Sequence, residues 1–472
     1  MDKQEFQKFG HEFVEWAADY MENAGKYPVL ARVSPGDIRK KLPATPPEAG
    51  ESMETIFRDF HEIVLPGITH WQHPGWFAYF PANNSPASVL AELLTASLGA
   101  QCMSWNTSPA AAELEEVVLG WLRGMLGLPE GWAGVIQDTA STSTLAALLS
   151  ARERATGFAS NARGLREPLT VYASAETHSS VEKGVKIAGY GRENLRVIPT
   201  DDAFAMDPAA LERAIAADRA AGLVPACVVA TVGTTSSGAV DPLPAIGRIA
   251  RTNGLWLHVD AAYAGTAALL PEKRRVLDGV EEADSFVFNP HKWMLTNFDC
   301  SAYFVRDAGA LVRTFEIHPE YLKTGVDAQV KNYRDWGVPL GRRFRALKLW
   351  FVLRSYGAEG IRAMVREHLR LAALFKGWVE ADPRFEILAP VQFGLVCFRF
   401  NDGRPGAELD MFNRALLDRV NASGRVFMTH TTLRGTFTIR LVVGQRTTEE
   451  RHVREAWDII RASAEELTGE AS

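Results

Sequence analysis

The chain has 472 residues, 47% of them hydrophobic and 23% charged, which allows a large core and more than one domain. With 51 Lys and Arg against 57 Asp and Glu the net charge is −6, which offers no nucleic-acid footprint. Cys102, Cys227, Cys300 and Cys397 form no CxxC pair, which argues against a zinc site or a disulfide framework and for reduced thiols.

The N-terminus, "MDKQEFQKFGHEFVEWAADYMENAG", is charged throughout and lacks the apolar core of a signal peptide. No run approaches the ~18 apolar residues of a membrane span. A cytoplasmic location is therefore expected. Phe6, Phe9, Phe13, Trp16, Ala17 and Tyr20 recur at helical spacing, so residues 3–24 are predicted to form an amphipathic helix. Its aromatic stripe could pack on its own domain or on a partner subunit. A Pro- and Gly-rich connector follows, "YPVLARVSPGDIRKKLPATPPEAG".

From about residue 85, helical segments lead into alternating strand and helix signals. Strands are predicted at 169–174, 195–200, 226–233, 255–260, 285–290 and 301–306, with helices at 208–221 and 242–253. Such alternation predicts a mostly parallel, doubly wound α/β sheet, whose ligands bind beyond the carboxyl ends of the strands. A long helical run follows residue 342. Strands are then expected within 385–400, at 425–430 and at 436–444. The last helix, 447–466, is predicted to start at a capping box of Thr447 and Glu450.

Asp260 ends the apolar run "LWLHVD", where a buried carboxylate is costly unless paired. Helix capping is one use for it; a cationic ligand group is another. Lys292 follows the next strand, in "FVFNPHKW", so both residues should emerge at the same sheet edge. A lysine and a carboxylate so placed match what pyridoxal phosphate demands: an amine for its aldehyde and an anion for its ring nitrogen. "QDTASTSTLAALL" puts small hydroxyl residues ahead of a helix, where backbone N–H groups favour a phosphate. "GTTSSG" at 233–238 follows another strand.

These motifs, with "WQHPGWFAYFP" (71–81), "SWNTSPAAAELE" (104–115), "HSSVEK" (178–183), "HVDAAYAG" (258–265), "NFDCSA" (297–302) and "DWGVPLGRRFRALKLWF" (335–351), resemble the group II pyridoxal-phosphate-dependent decarboxylases of the aromatic-L-amino-acid decarboxylase family. The resemblance covers nearly the whole chain. It implies the aspartate-aminotransferase-like fold type I: a large, mostly parallel seven-stranded sheet domain, a small C-terminal α+β domain and an N-terminal helical arm. The boundaries expected are 1–84 for an arm on the partner subunit, 85–360 for the cofactor domain and 361–472 for the small domain.

The resemblance also implies roles. Lys292 matches the Schiff-base lysine and Asp260 the partner of the pyridine nitrogen. Ala262 would pack on one ring face and His178 on the other. Ala140, Ser141, Thr235, Asn289 and His291 match the surroundings of the phosphate. The long polar stretch 319–341 matches a mobile lid, and Tyr333 is taken as the lid tyrosine that protonates the substrate carbon, assisted by His178. Trp71, Tyr79, Phe80, Pro81, Ala82, Gln101, Met103 and Gly341 match substrate-pocket positions.

Decarboxylation of an aromatic amino acid in a homodimer is therefore expected, with neither membrane nor nucleic acid as partner and no metal. Ala82, Gln101 and Met103 depart from residues of animal relatives and put catechol specificity in doubt, while Gly341 leaves room for an indole. Rival readings are an aromatic aldehyde synthase, an acidic amino-acid decarboxylase and an aminotransferase or desulfurase.

Overall fold

A computed structural model of the chain describes residues 1–317, 325 and 327–469. It divides into two compact units. One comprises Met1–Ala82, Leu374–Glu386 and Phe398–Ser472, the other Asn83–Ala373 and Ile387–Cys397.

The first unit opens with α1 (Lys3–Asn23), capped by Asp2, whose carboxylate takes the Gln4 and Glu5 N–H groups. The helix matches the expected span, and its aromatic stripe is used within the chain. Phe13 lies 4.5 Å from Phe57, Trp16 meets Phe60 edge-on at 5.1 Å, and Tyr20 bonds His70 at 2.9 Å. Phe6 stays exposed.

The second unit is built on a seven-stranded sheet. Its strands are β1 (Ala133–Gln137), β2 (Leu169–Ser174), β3 (Leu195–Ile198), β4 (Val224–Thr231), β5 (Trp256–Asp260), β6 (Ser285–Phe288) and β7 (Ser301–Val305). The spatial order is β1-β7-β6-β5-β4-β2-β3, and only β7 runs against the others. Strands β2, β5, β6 and β7 are buried along their whole length, as a sheet covered on both faces requires.

Helices α2 (Pro86–Leu98), α3 (Pro109–Leu126), α4 (Ala140–Ala155), α5 (Ser180–Ile187), α6 (Pro208–Ala220), α7 (Leu243–Asn253) and α8 (Ala308–Phe315) belong to the same unit. Ser85 caps α2, Pro86 occupies its first turn, and Gly99 ends it in a left-handed conformation. The helical run after residue 342 is α9 (Arg345–Ala381), interrupted at Gly357 by non-helical angles. A four-stranded sheet follows, formed by β8 (Phe385–Ile387), β9 (Leu395–Phe400), β10 (Thr429–Leu433) and β11 (Thr436–Val442) in the order β10-β11-β9-β8. Helices α10 (Gly406–Ala422) and α11 (Glu450–Thr468) complete the chain.

Two expectations are corrected, and one strand is added. Strand β1 was not anticipated; its five residues contain a glycine. Gly134 is needed there: a Cβ would come within 2.9 Å of the Phe304 ring on β7. The strand expected at 425–430 lies at Thr429–Leu433. Helix α11 is capped by Glu449 with His452, not by Thr447 with Glu450. The Thr447 and Thr448 hydroxyls donate instead to the carbonyls of Gln72 and Pro74.

Candidate active site

Asp260 is the last residue of β5 and pairs in register with Val287 of β6. The pairing continues past the strand ends. Ala261 N–H donates to Val287 O at 2.9 Å, and Asn289 N–H to Ala262 O at 3.1 Å. A single helical turn, Pro290–Trp293, then carries Lys292, whose N–H bonds Asn289 O at 2.9 Å. Adjacent strands thus deliver the carboxylate and the amine to one sheet edge.

Asp260 is buried, and its Oδ1 accepts the Ala262 N–H at 3.0 Å. Burial lowers the Lys292 pKa, opposed by the Asp260 charge. Lys292 nevertheless keeps some accessible surface.

His178 precedes α5 and is acted on by both residues. Burial lowers its pKa first, the Asp260 charge raises it, and Lys292 and Lys183 lower it further. Its Nδ1 accepts the Ser180 N–H at 3.1 Å, so the neutral ring carries its proton on Nε2. His291 behaves similarly. Burial pushes its pKa down to about 3, and its Nδ1 accepts the Cys300 N–H at 2.8 Å. It too is a neutral ring with an Nε2–H to donate.

Ala140 and Ser141 form the first turn of α4, whose cap is Thr139; Ala140 is buried and Ser141 exposed. Thr235 is half-buried in the turn after β4. That turn requires Gly233 (φ +82°), where a Cβ would meet the Ala264 Cβ at 2.4 Å. Asn289 Oδ1 accepts the Ser301 hydroxyl at 2.7 Å, which fixes the side chain between β6 and β7.

These residues suit pyridoxal phosphate. A lysine held toward its neutral amine, a buried carboxylate beside it and a 16-residue helix presenting its N-terminus are what aldehyde, ring nitrogen and phosphate each need. Among the described residues no cluster of His, Cys, Asp and Glu could hold a metal ion.

Tyr333 does not have the setting expected of a mobile lid residue. Residues 318–324 and 326, within or beside the expected lid, lie outside the described residues. Tyr333 itself is buried on a short 3-10 turn, Tyr333–Asp335, in an apolar cluster with Val135, Ala140 and Trp336. The Arg342 guanidinium covers its ring at 4.8 Å. Hydrogen bonds of its neighbours hold it on both sides: Trp105 N–H to the Asn332 side-chain Oδ1 at 3.1 Å, and Arg334 N–H to Met103 O at 2.8 Å. Burial and then Glu115 and Glu116 raise its pKa, against Arg342. Lys292, Asp260 and His178 are not among the groups that shift it.

The same lacing assembles three substrate candidates. Gln101 Oε1 accepts the Arg342 N–H at 3.0 Å, Cys102 N–H reaches Arg342 O at 3.0 Å, and Met103 bonds Arg334. Gly341 sits against Gln101, where a Cβ would come within 3.2 Å of Nε2.

The remaining candidates lie in the first unit. Trp71 and Tyr79 are exposed and stacked at 5.8 Å. Phe80 is buried under Arg440, Pro81 packs on Gly444, and Ala82 O accepts the Gln72 amide at 2.6 Å.

Sequence reasoning missed Asn83, whose backbone N–H (3.3 Å) and Nδ2 (2.9 Å) both reach Lys292 O. It also missed Glu115 and Arg342. An acidic residue in the buried stripe of α3 was the available signal for Glu115.

Known proteins resemble this chain along nearly its whole length. The family model "Pyridoxal-dependent decarboxylase conserved domain" matches residues 35–401. The chain is 46% identical to phenylacetaldehyde synthase of Arabidopsis thaliana, covering 99% of this chain and 97% of that one. It is 45% identical to tryptophan decarboxylase 2 of Oryza sativa subsp. japonica, covering 99% and 96%. The crystal structure of Oryza sativa TDC with PLP and tryptamine superposes with a TM-score of 0.96 at 39% identity, covering 99% of each chain. The chain belongs to the pyridoxal-dependent decarboxylases.

Proposed function

We propose that this enzyme decarboxylates aromatic L-amino acids to the corresponding amines and CO₂. The carrying observation is Lys292 beside Asp260 at the ends of neighbouring strands, in a chain 45% identical to a tryptophan decarboxylase. A second reading, oxidative production of an aldehyde, is favoured by the 46% identity to a phenylacetaldehyde synthase.

Pyridoxal phosphate would supply the sink for the electron pair left when the Cα–carboxylate bond breaks. Lys292 would hold it covalently, through an amine whose pKa burial lowers. Asp260 would keep the ring nitrogen protonated, a charge fixed in place before the reaction begins. His178 and Ala262 would lie against the two ring faces. Ala140, Ser141, Thr235, Asn289 and His291 would surround the phosphate. Substrate recognition is assigned to Trp71, Tyr79, Phe80, Pro81, Ala82, Gln101, Met103 and Gly341.

The substrate carbon must then receive a proton. The stretch 319–341 holds two tyrosines, Tyr321 and Tyr333. The packing of Tyr333 suits a structural role, so the donor is assigned to Tyr321, which lies outside the described residues. His178, with its proton on Nε2, is the assisting group.

A second copy of the chain is the partner assigned to α2. Leu90, Leu93, Leu94 and Leu98 recur along one face of it, and each is 46–64% exposed. Val117 and Trp121 of α3 are exposed as well. Four buried free thiols suit a reducing compartment such as the cytoplasm.

The test is a panel of tryptophan, tyrosine, phenylalanine, DOPA, glutamate and aspartate, with amine, aldehyde and hydrogen peroxide all measured. Amine from aromatic substrates without peroxide is expected. Aldehyde with equimolar peroxide establishes the rival reading, and turnover of glutamate alone overturns the substrate class. Tyr321→Phe should shift product toward aldehyde, while Tyr333→Phe should keep the wild-type product. The reverse pattern returns the donor role to Tyr333.

A further inference from the structure

The chain must turn sharply after Lys292. The helical turn Pro290–Trp293 is too short to satisfy its own carbonyls, and it ends in an irregular segment. Leu295 there adopts φ 56°, the left-handed region that a branched side chain avoids. A conformation of this kind persists only where its surroundings impose it.

The imposing element is the segment 83–88, which leads into α2. It grips the turn at three points. Asn83 directs its backbone N–H (3.3 Å) and Nδ2 (2.9 Å) at the carbonyl of Lys292 itself. The Ser85 hydroxyl donates to the carbonyl of Leu295 at 2.7 Å. The Ser88 hydroxyl accepts the N–H of Asn297 at 3.2 Å. Asn83, Ser85 and Ser88 are fully buried, so water does not compete for these bonds. Ser85 and Ser88 also cap α2 reciprocally, which ties the strap to the helix start.

We infer that Asn83 and Ser85 are positioning residues for Lys292: the strap sets the direction in which the lysine amine leaves the backbone. The inference rests on the reading of Lys292 as the cofactor lysine. Neither residue touches the amine. They act through the carbonyls of Lys292 and Leu295, and so through the rotation of the Lys292 Cα–Cβ bond relative to Asp260. Loosening the strap should let the amine sample orientations unproductive toward the carboxylate-stabilised ring. It should leave the sheet untouched.

The test uses the full-length holoenzyme. Asn83→Ala and Ser85→Ala are compared with wild type for kcat, the apparent pKa of the cofactor's visible absorption band, the rate of cofactor dissociation and Tm. Asn83→Ala should lower kcat about tenfold, shift the band pKa and speed cofactor loss several-fold, with Tm within a few degrees of wild type. Ser85→Ala should act in the same direction. Unchanged band pKa and dissociation rate in both variants overturn the inference. A loss of kcat that follows Tm alone, with a normal band, overturns it also, because that is the signature of a structural role.

Borohydride reduction followed by peptide mass mapping keeps the two claims separate. Cofactor mass on another lysine sinks the reading of Lys292. Cofactor mass on Lys292 with unaltered Asn83→Ala and Ser85→Ala sinks the strap alone.

Discussion

Arg342 and Glu115 form a two-pronged ion pair, 2.7 and 3.1 Å long, with both side chains buried. Both residues are anchored in β1. Glu115 Oε1 also takes the Ile136 N–H at 2.8 Å, and Arg342 gives a further bond to Ile136 O at 2.8 Å. The pair therefore binds α3, the edge strand and the segment carrying Tyr333 and Gly341 at one point.

Removing one member leaves the other charged and unpaired in a dry place. Glu115→Ala or Arg342→Ala should each cost roughly 3–5 kcal/mol. The double variant Glu115→Ala/Arg342→Ala should cost clearly less than the two single losses together. Urea unfolding of the four proteins measures the cycle. Strictly additive losses would mean that the two residues do not act as a pair.

Acid sensitivity follows from His258, fully buried on β5. Its Nδ1 lies 2.9 Å from the Ser285 hydroxyl and its Nε2 3.3 Å from that of Thr144. Burial holds its pKa down to about 4 against an ordinary 6.5, although Asp260 pulls the other way. Between those values the unfolded chain binds a proton that the folded one refuses. Stability is thus intact above pH 6.5 and falls as the pH drops toward 4, by on the order of 3 kcal/mol for this residue. His291 and His73, lowered to about 3 and about 4, add losses of the same sign. Tm measured from pH 7.5 to 4.5 should fall steadily, and less steeply in His258→Gln. Parallel slopes would place the acid sensitivity elsewhere.

The exposed leucine face of α2 gives a prediction about assembly. Leu94→Asp, on a side chain already 46% exposed, should leave Tm of the isolated chain nearly unchanged. It should convert a dimer to monomer in sedimentation velocity at micromolar concentration. A variant that sediments like wild type would remove α2 from the interface.

The legible parts of the sequence were those governed by periodicity and by spacing along the chain. Six strands of the large sheet could be read from short apolar runs. Lys292 and Asp260 stood out because charge at the end of such a run needs a reason. The pieces that escaped depend on partners distant in sequence. Strand β1 exists because β7 pairs with it, and Gly134 disguised it. Asn83 acts on a residue far along the chain, and nothing near it in sequence announces that. Tyr333 was matched to the lid tyrosine by resemblance, and the stretch around it is polar partly because Asn332, Arg334 and Asp335 make bonds within the fold. A polar loop and a polar, buried staple look alike until their partners are known.

Asp260 and Lys292 hang from two hydrogen-bonded neighbours in a sheet whose register cannot slip without turning buried side chains outward. The electron-withdrawing half of the proposed chemistry is therefore frozen into the core. The residues proposed to direct the proton, or to fit the ring, sit on segments outside that sheet. Substitutions there can redirect the product while the bond-breaking apparatus stays as it is. On that division of labour, an amine producer and an aldehyde producer can diverge from one ancestor through a few changes.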